Sequence, residues 1–214
     1  MKLHPALVTA ALVAVGLGAS ALLRTFADRH QVLEPTPVVR AALDDPHSPV
    51  VGAAAPDLTI VVFTDYRCPV CRATDPALAR LVARDAGVRV MIKDFPILGT
   101  QSRIAARVAL AAGRQGKYWA MHRALMDARG PVSEASLPDL ARSAGVDWDR
   151  LQGDLVADRR TIDATLDRHA TQAWSLGIEG TPAYLVGPLL VKGGLDDAAL
   201  SRAVAEARRR QGRT

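Results

Sequence analysis

Strand-forming runs in this chain come in two pairs, and a long helical stretch keeps the pairs apart. Leu58-Thr59-Ile60-Val61-Val62-Phe63 has the length and β-branching of a buried strand, and Val88-Arg89-Val90-Met91-Ile92-Lys93 alternates like a second. The other pair, Ala183–Val186 and Leu189–Lys192, is turned by Gly187-Pro188. A helix is expected from about Pro69 to Asp85, with Leu78, Leu81 and Val82 inward and Pro76 kinking it. Between the strand pairs, Ile104, Val108 and Ala111 space helically, as do Leu137, Leu140, Ala141 and Ala144. Leu151 with Leu155, then Ile162, Leu166, His169 and Ala173, continue the pattern, punctuated by Gly113, Gly130-Pro131 and Gly145. An amphipathic helix from Asp196 to Arg209 follows the last strand. The order β-α-β, helices, β-β-α predicts an α/β domain over residues 58–210, with an all-helical insertion over about 97–176.

Composition narrows the class. Hydrophobic residues make up 49% of the 214, enough for a substantial core in one compact domain. Lys and Arg number 27 against 22 Asp and Glu, and the excess spreads along the chain apart from Arg208-Arg209-Arg210 and Arg213. Nucleic-acid binding is not expected, because no basic cluster with interleaved aromatics or reading motif occurs.

Residues 1–24 read as a targeting segment. Lys2 precedes Ala6 to Leu23, eighteen residues without a charge. That length is at the lower limit for spanning a hydrocarbon core of about 30 Å, and long for the apolar part of a signal peptide. Ala19-Ser20-Ala21 offers the small residues of a cleavage site, but Leu22 and Leu23 continue the apolar run. An uncleaved anchor touching the membrane is favoured over a cleaved signal peptide. Either reading puts the domain outside the cytoplasm, where disulfides persist. Residues 25–57, with Glu34-Pro35-Thr36-Pro37, Asp45-Pro46 and Ser48-Pro49, read as a polar spacer and lead-in. One short edge strand is expected near Val50-Val51.

The only two cysteines are Cys68 and Cys71, in Cys68-Pro69-Val70-Cys71 directly after the first strand. A disulfide between them closes a tiny ring and stabilises by about 2 kcal/mol, against about 4.7 kcal/mol for a hundred-residue loop. A structural bridge is therefore a poor explanation. Zinc would want four ligands, and His4, His30, His47, His122 and His169 form no pair at ligand spacing, so neither metal nor cofactor is expected. His169, on an apolar helical stripe, reads as a satisfied core or boundary histidine rather than a ligand.

A reactive dithiol has a physical basis here. Cys68 falls at the helix start and Pro69 suits the first helical position, so free amides and the positive dipole end favour a thiolate. Cys71, a turn inward, should be less exposed and less acidic, and should resolve a mixed disulfide formed at Cys68. Arg67 and Arg72 read as solvated surface residues, with added positive potential at Cys68 as the alternative. Much later, Gly180-Thr181-Pro182 leads into the third strand. A cis bond there would set the Thr181 backbone beside the Cys68 sulfur and offer an unfolded substrate a strand edge. A proline that merely opens a strand is the plainer alternative.

Taken together, these segments resemble the DsbA-like branch of the thioredoxin superfamily. Phe63-Thr64-Asp65-Tyr66-Arg67-Cys68-Pro69-Val70-Cys71 matches that family's F-x-D-Y-x-C-P-x-C pattern. Asp45-Pro46-His47-Ser48-Pro49-Val50-Val51-Gly52, Lys93-Asp94-Phe95-Pro96-Ile97-Leu98-Gly99, Gln115-Gly116-Lys117-Tyr118-Trp119 and Gly177-Ile178-Glu179-Gly180-Thr181-Pro182 are similar to further segments of it. The resemblance implies a thioredoxin fold with an inserted helical subdomain, preceded by the signal or anchor helix. It also implies disulfide exchange through Cys68 and Cys71, with Pro69, Val70, Thr181 and Pro182 shaping the substrate groove.

Two departures bear on redox strength. Many relatives carry a buried glutamate six residues before the first cysteine, where this chain has Val62, and strong oxidants often carry His where it has Val70. Both changes predict a more reducing couple, and Thr181 before the proline is common in isomerase-like members. Lys93 is the nearest candidate for a surrogate proton relay, with a solvated lysine at a strand end as the alternative.

The function expected is a monomeric periplasmic thiol–disulfide oxidoreductase that forms or reshuffles disulfides in secreted, cysteine-containing proteins. Its expected partner is a membrane thiol oxidase or reductase. A dedicated reductant for a haem- or copper-maturation client, and a redox-silent chaperone using the same groove, are the alternatives.

Overall fold

A computed structural model describes residues 30–212; the Ala6–Leu23 segment lies outside the described residues. Among them, no helix is long and apolar enough to cross a membrane. The elements are β1 (His30–Val32), α1 (Pro37–Leu43), β2 (Val50–Gly52), β3 (Leu58–Thr64), α2 (Pro69–Arg84) and β4 (Val88–Asp94). Then come α3 (Thr100–Ala112), a 3-10 turn (Gly113–Gln115), α4 (Tyr118–Met126), α5 (Leu137–Ser143), α6 (Trp148–Ala157) and α7 (Arg159–Ser175). β5 (Ala183–Val186), β6 (Leu189–Lys192) and α8 (Asp197–Gln211) complete the chain.

One mixed sheet runs in the order β1-β6-β5-β3-β4-β2. β3 and β4 are parallel, as their α2 crossover requires, and every other pairing is antiparallel. This is the α/β arrangement that the strand order predicted, and it agrees with the thioredoxin fold that the resemblance implies, with α3 to α7 between β4 and β5. The period-2 alternation of each strand then divides the core. Ile60, Val62, Val90, Ile92, Tyr184 and Val191 face α2, α8 and the helical subdomain. Val61, Phe63, Met91, Ala183, Leu185 and Leu190 face the other way, with Val39 and Ala42 of α1 and Ala173 of α7.

The stretch read as a polar spacer holds more structure than its composition suggests. β1 extends the sheet beyond β6, with His30 opposite Val191. α1 starts at the first-turn Pro37, its Val39 amide donating to the Thr36 hydroxyl at 3.3 Å, and buries Val39 and Ala42. Three and seven residues are too short to show a period, so tertiary packing rather than pattern fixes both. The edge strand at Val50-Val51 is present as β2, against β4. Pro76 sits within α2, which continues unbroken to Arg84.

Candidate active site

The residues that follow β3 are held by one buried carboxylate. Asp65 accepts from the Arg67 amide at 2.8 Å through Oδ1 and from the Leu98 amide at 3.0 Å through Oδ2, while its carbonyl accepts from the Cys68 amide at 3.0 Å. That turn delivers Cys68 as the N-cap of α2 in an extended conformation (φ −73°, ψ 118°), with Pro69 in the first helical turn. The Cys68 sulfur occupies the place of a capping oxygen and accepts from the Cys71 amide at 3.4 Å. Its thiol donates to the Thr181 carbonyl at 3.3 Å. The Thr181–Pro182 bond is cis, and the Pro182 carbonyl accepts from Gly193 at 2.9 Å.

Cys68, Cys71 and Thr181 are thus brought together from positions far apart in sequence, with both cysteines as free thiols. Their exposures differ less than a simple inner-and-outer picture suggests, 6% for Cys68 and 2% for Cys71. Burial pushes the Cys71 thiol up to about 12, against hydrogen bonds from the Thr64 side chain, the Asp65 backbone and the Thr181 side chain. Pro69 and the half-covered Val70 stand at the surface beside the sulfur of Cys68. Gly194 closes on that corner, where a Cβ would stand 2.9 Å from Val70 Cγ1 and 2.8 Å from Thr74 Cγ2.

Neither arginine beside the dithiol is simply solvated. Arg67 donates to the Leu98 carbonyl at 3.4 Å, and Arg72 donates to the carbonyls of Met126 and Gly130 at 3.2 and 3.3 Å. They tie the cysteine turn to the loops that cover it.

Lys93 is neither a solvated lysine nor a relay. It is fully buried and donates to Asp45 Oδ2 at 2.7 Å and Ser48 Oγ at 2.8 Å. Strand alternation is the reason: Lys93 pairs laterally with Phe63 and points with Met91 toward α1 and α7, away from Cys71. Burial pushes the Lys93 ammonium down to about 8, and burial alone would raise Asp45, but Lys93 and Arg168 hold that carboxyl well below its usual range. His169 belongs to the same cluster, between the Ser48 hydroxyl at 3.0 Å and the Asp94 carbonyl at 3.2 Å. Burial and the neighbouring cations push it down to about 3, so it is a neutral core histidine.

The dithiol's own side of the sheet carries a polar string that sequence reading did not single out. Tyr118 donates to Asp94 Oδ2 at 3.1 Å, and its hydroxyl lies 3.4 Å from that of Tyr66. The Tyr66 hydroxyl meets His122 Nδ1 at 3.1 Å, and His122 Nε2 meets Asp75 Oδ1 at 3.0 Å. Arg123, at the protein's edge, pairs with Asp75 Oδ2. His122 stacks on Trp119 with ring centroids 5.0 Å apart. Tyr66, Asp94 and Tyr118 each lie in a segment that carries the resemblance, but nothing in the sequence joins them to His122 and Asp75. Among the described residues, no group of His, Cys, Asp and Glu could hold a metal ion.

Residues 59–205 match the model of the DSBA-like thioredoxin domain. A thioredoxin-like oxidoreductase from Silicibacter pomeroyi is 39% identical, covering 79% of this chain and 97% of that one, with a TM-score of 0.75. A periplasmic thioredoxin-like protein from Salmonella enterica serovar Typhimurium is 32% identical over 82% of this chain and 99% of its own, with a TM-score of 0.72. The thiol-disulfide exchange protein alpha-DsbA2 of Wolbachia pipientis is 28% identical over 78% of this chain and 90% of its own, with a TM-score of 0.74. Among curated proteins, a Na(+)/H(+) antiporter NhaA of Salinispora arenicola is 29% identical over 167 residues. The chain spans about a quarter of the length of the curated relatives it matches.

Proposed function

Because the chain belongs to the family of DSBA-like thioredoxin domains, whose chemistry is dithiol–disulfide exchange, we propose that it forms or reshuffles disulfides in cysteine-containing secreted proteins. Cys68 is the nucleophile and Cys71 the resolving thiol. The observation that carries this reading is the seat of the Cys68 sulfur, between the Cys71 amide at 3.4 Å and the Thr181 carbonyl at 3.3 Å. An amide donor at a helix start supports the sulfur as attacking and leaving group. The adjacent Thr181 backbone gives an extended substrate an edge to lie against, with Pro69, Val70 and Pro182 walling the groove.

The domain works outside the cytoplasm, with residues 6–23 as its membrane contact and a membrane thiol oxidase or reductase as its redox partner. The apolar run at the N-terminus and the periplasmic Salmonella relative support that location. A reporter active only outside the cytoplasm, fused after Thr214, should work; activity from a cytoplasmic reporter alone would overturn the location. Val62 and Val70 favour a couple on the reducing side, hence reshuffling or reduction of a dedicated client over strong oxidation.

Insulin reduction tests the activity. The purified domain with dithiothreitol should accelerate precipitation of the insulin B chain, and Cys68→Ser should abolish the acceleration. A wild-type domain that slows aggregation without accelerating reduction would instead support a redox-silent chaperone.

A further inference from the structure

Two guanidinium groups bracket the dithiol: Arg67 directly precedes Cys68 and Arg72 directly follows Cys71. Among the described residues, no carboxylate pairs with either of them. Their bound N–H groups go to backbone carbonyls, Arg67 to Leu98 at 3.4 Å and Arg72 to Met126 and Gly130 at 3.2 and 3.3 Å. We propose that Arg67, helped by the charge of Arg72, receives a substrate carboxylate, so that cysteines flanked by Asp or Glu are preferred. This substrate preference rests on the dithiol exchange proposed above.

Strand order fixes which wall of the groove Arg67 occupies. β5 and β4 lie on either side of β3. Thr181, just before β5, and Leu98, after β4, therefore stand on opposite sides of Cys68, which follows β3. An extended substrate lying along the Thr181 backbone has its other flank toward Leu98 and the Arg67 side chain bonded to it. The residues next to the substrate cysteine are then the ones that meet the guanidinium.

The protein's own acids on this side are already engaged. Asp65 spends both side-chain oxygens on the amides of Arg67 and Leu98. Asp75 is bound by His122 and Arg123, and Asp127 by Arg123. Glu134, in the loop beyond Gly130, exchanges hydrogen bonds with Gln101. Glu179 lies in the Thr181 loop on the other wall, where Lys192 reaches over Gly177. Arg67 is left exposed, with the rest of its planar fork open to the two oxygens of one carboxylate. The pattern F-x-D-Y-x-C-P-x-C leaves its position open, so the cation belongs to this chain and not to the motif. The positive end of α2 adds to the same potential.

The test follows the reduced full chain reacting with short peptides whose one cysteine is held in a disulfide with neutral thiopyridine. Cys68 attacks the peptide sulfur, and the thione leaves with the electron pair of the broken S–S bond. Cys71 then displaces the peptide thiol, so the enzyme dithiol is oxidised and the peptide disulfide reduced. One Glu is moved through the positions flanking the peptide cysteine, with Gln at the same place as reference. The Glu-to-Gln ratio of rates is the readout, so a general change in Cys68 reactivity cancels. At low salt at least one Glu position should react about three to five times faster than its reference, the range of an exposed charged pair. The gain should fade in ~0.5 M salt. Arg67→Gln should remove it, and Arg67→Lys should keep part of it, having the charge without the fork. A wild type that favours Glu at no position, or a preference that survives in a folded Arg67→Gln variant, would overturn the proposal. A wild type that releases thione from none of the peptides would instead remove the exchange reading itself, and this assignment with it.

Discussion

A lysine at 0% exposure and a carboxylate at 4% fasten the lead-in to the sheet, and their mutual dependence is measurable. Removing one member of a buried ion pair strands the other, at a cost of about 3–5 kcal/mol. Lys93→Met should therefore destabilise toward the lower end of that range, because Arg168 still reaches Asp45 Oδ2 at 3.0 Å. Pairing Lys93→Met with Asp45→Asn should recover much of the loss in urea melts. A double-variant loss equal to the sum of the two single losses would show that the two charges are not coupled. At this scale the cysteines and Thr181-Pro182 were legible because their chemistry is written in contiguous motifs. The burial of Lys93 is not legible locally, because a strand end looks solvated until another segment, here Asp45 to Ser48, closes over it. Asp75 and His122 gave no local signal, since a lone acid or imidazole acquires meaning only from neighbours on other elements.

β3, α2 and β4 form a parallel unit whose β-branched strands and capped helix are readable directly from residue type. β1 and α1 were not, being shorter than any period can reveal. The segment after β6 reaches back to the start of α2, and Gly194 permits that contact. A Cβ there would press on Val70 and Thr74, both stiff β-branched side chains in a helix. Gly194→Ala should cost about 1–3 kcal/mol by overpacking, visible as a lower denaturant midpoint. Val70→Ala should relieve part of that cost by removing one of the two obstructing methyl groups. If Gly194→Ala were neutral and the double variant no better, the contact would not constrain this corner.

Across the whole molecule, the sheet separates two polar clusters that the chain brings close in sequence. Lys93 and Asp94 are neighbours, yet one braces α1 and α7 while the other bonds Tyr118 on the opposite side of the sheet. That division follows from strand alternation alone. The most direct test of thiol–disulfide exchange is capture of its covalent intermediate. Cys71→Ser, mixed with an unfolded disulfide-containing substrate such as scrambled ribonuclease, should accumulate a mixed disulfide whose mass maps to Cys68 of this chain. Cys68→Ser should trap nothing under the same conditions. Equal trapping by both variants, or by neither, would contradict the assignment of nucleophile and resolving thiol.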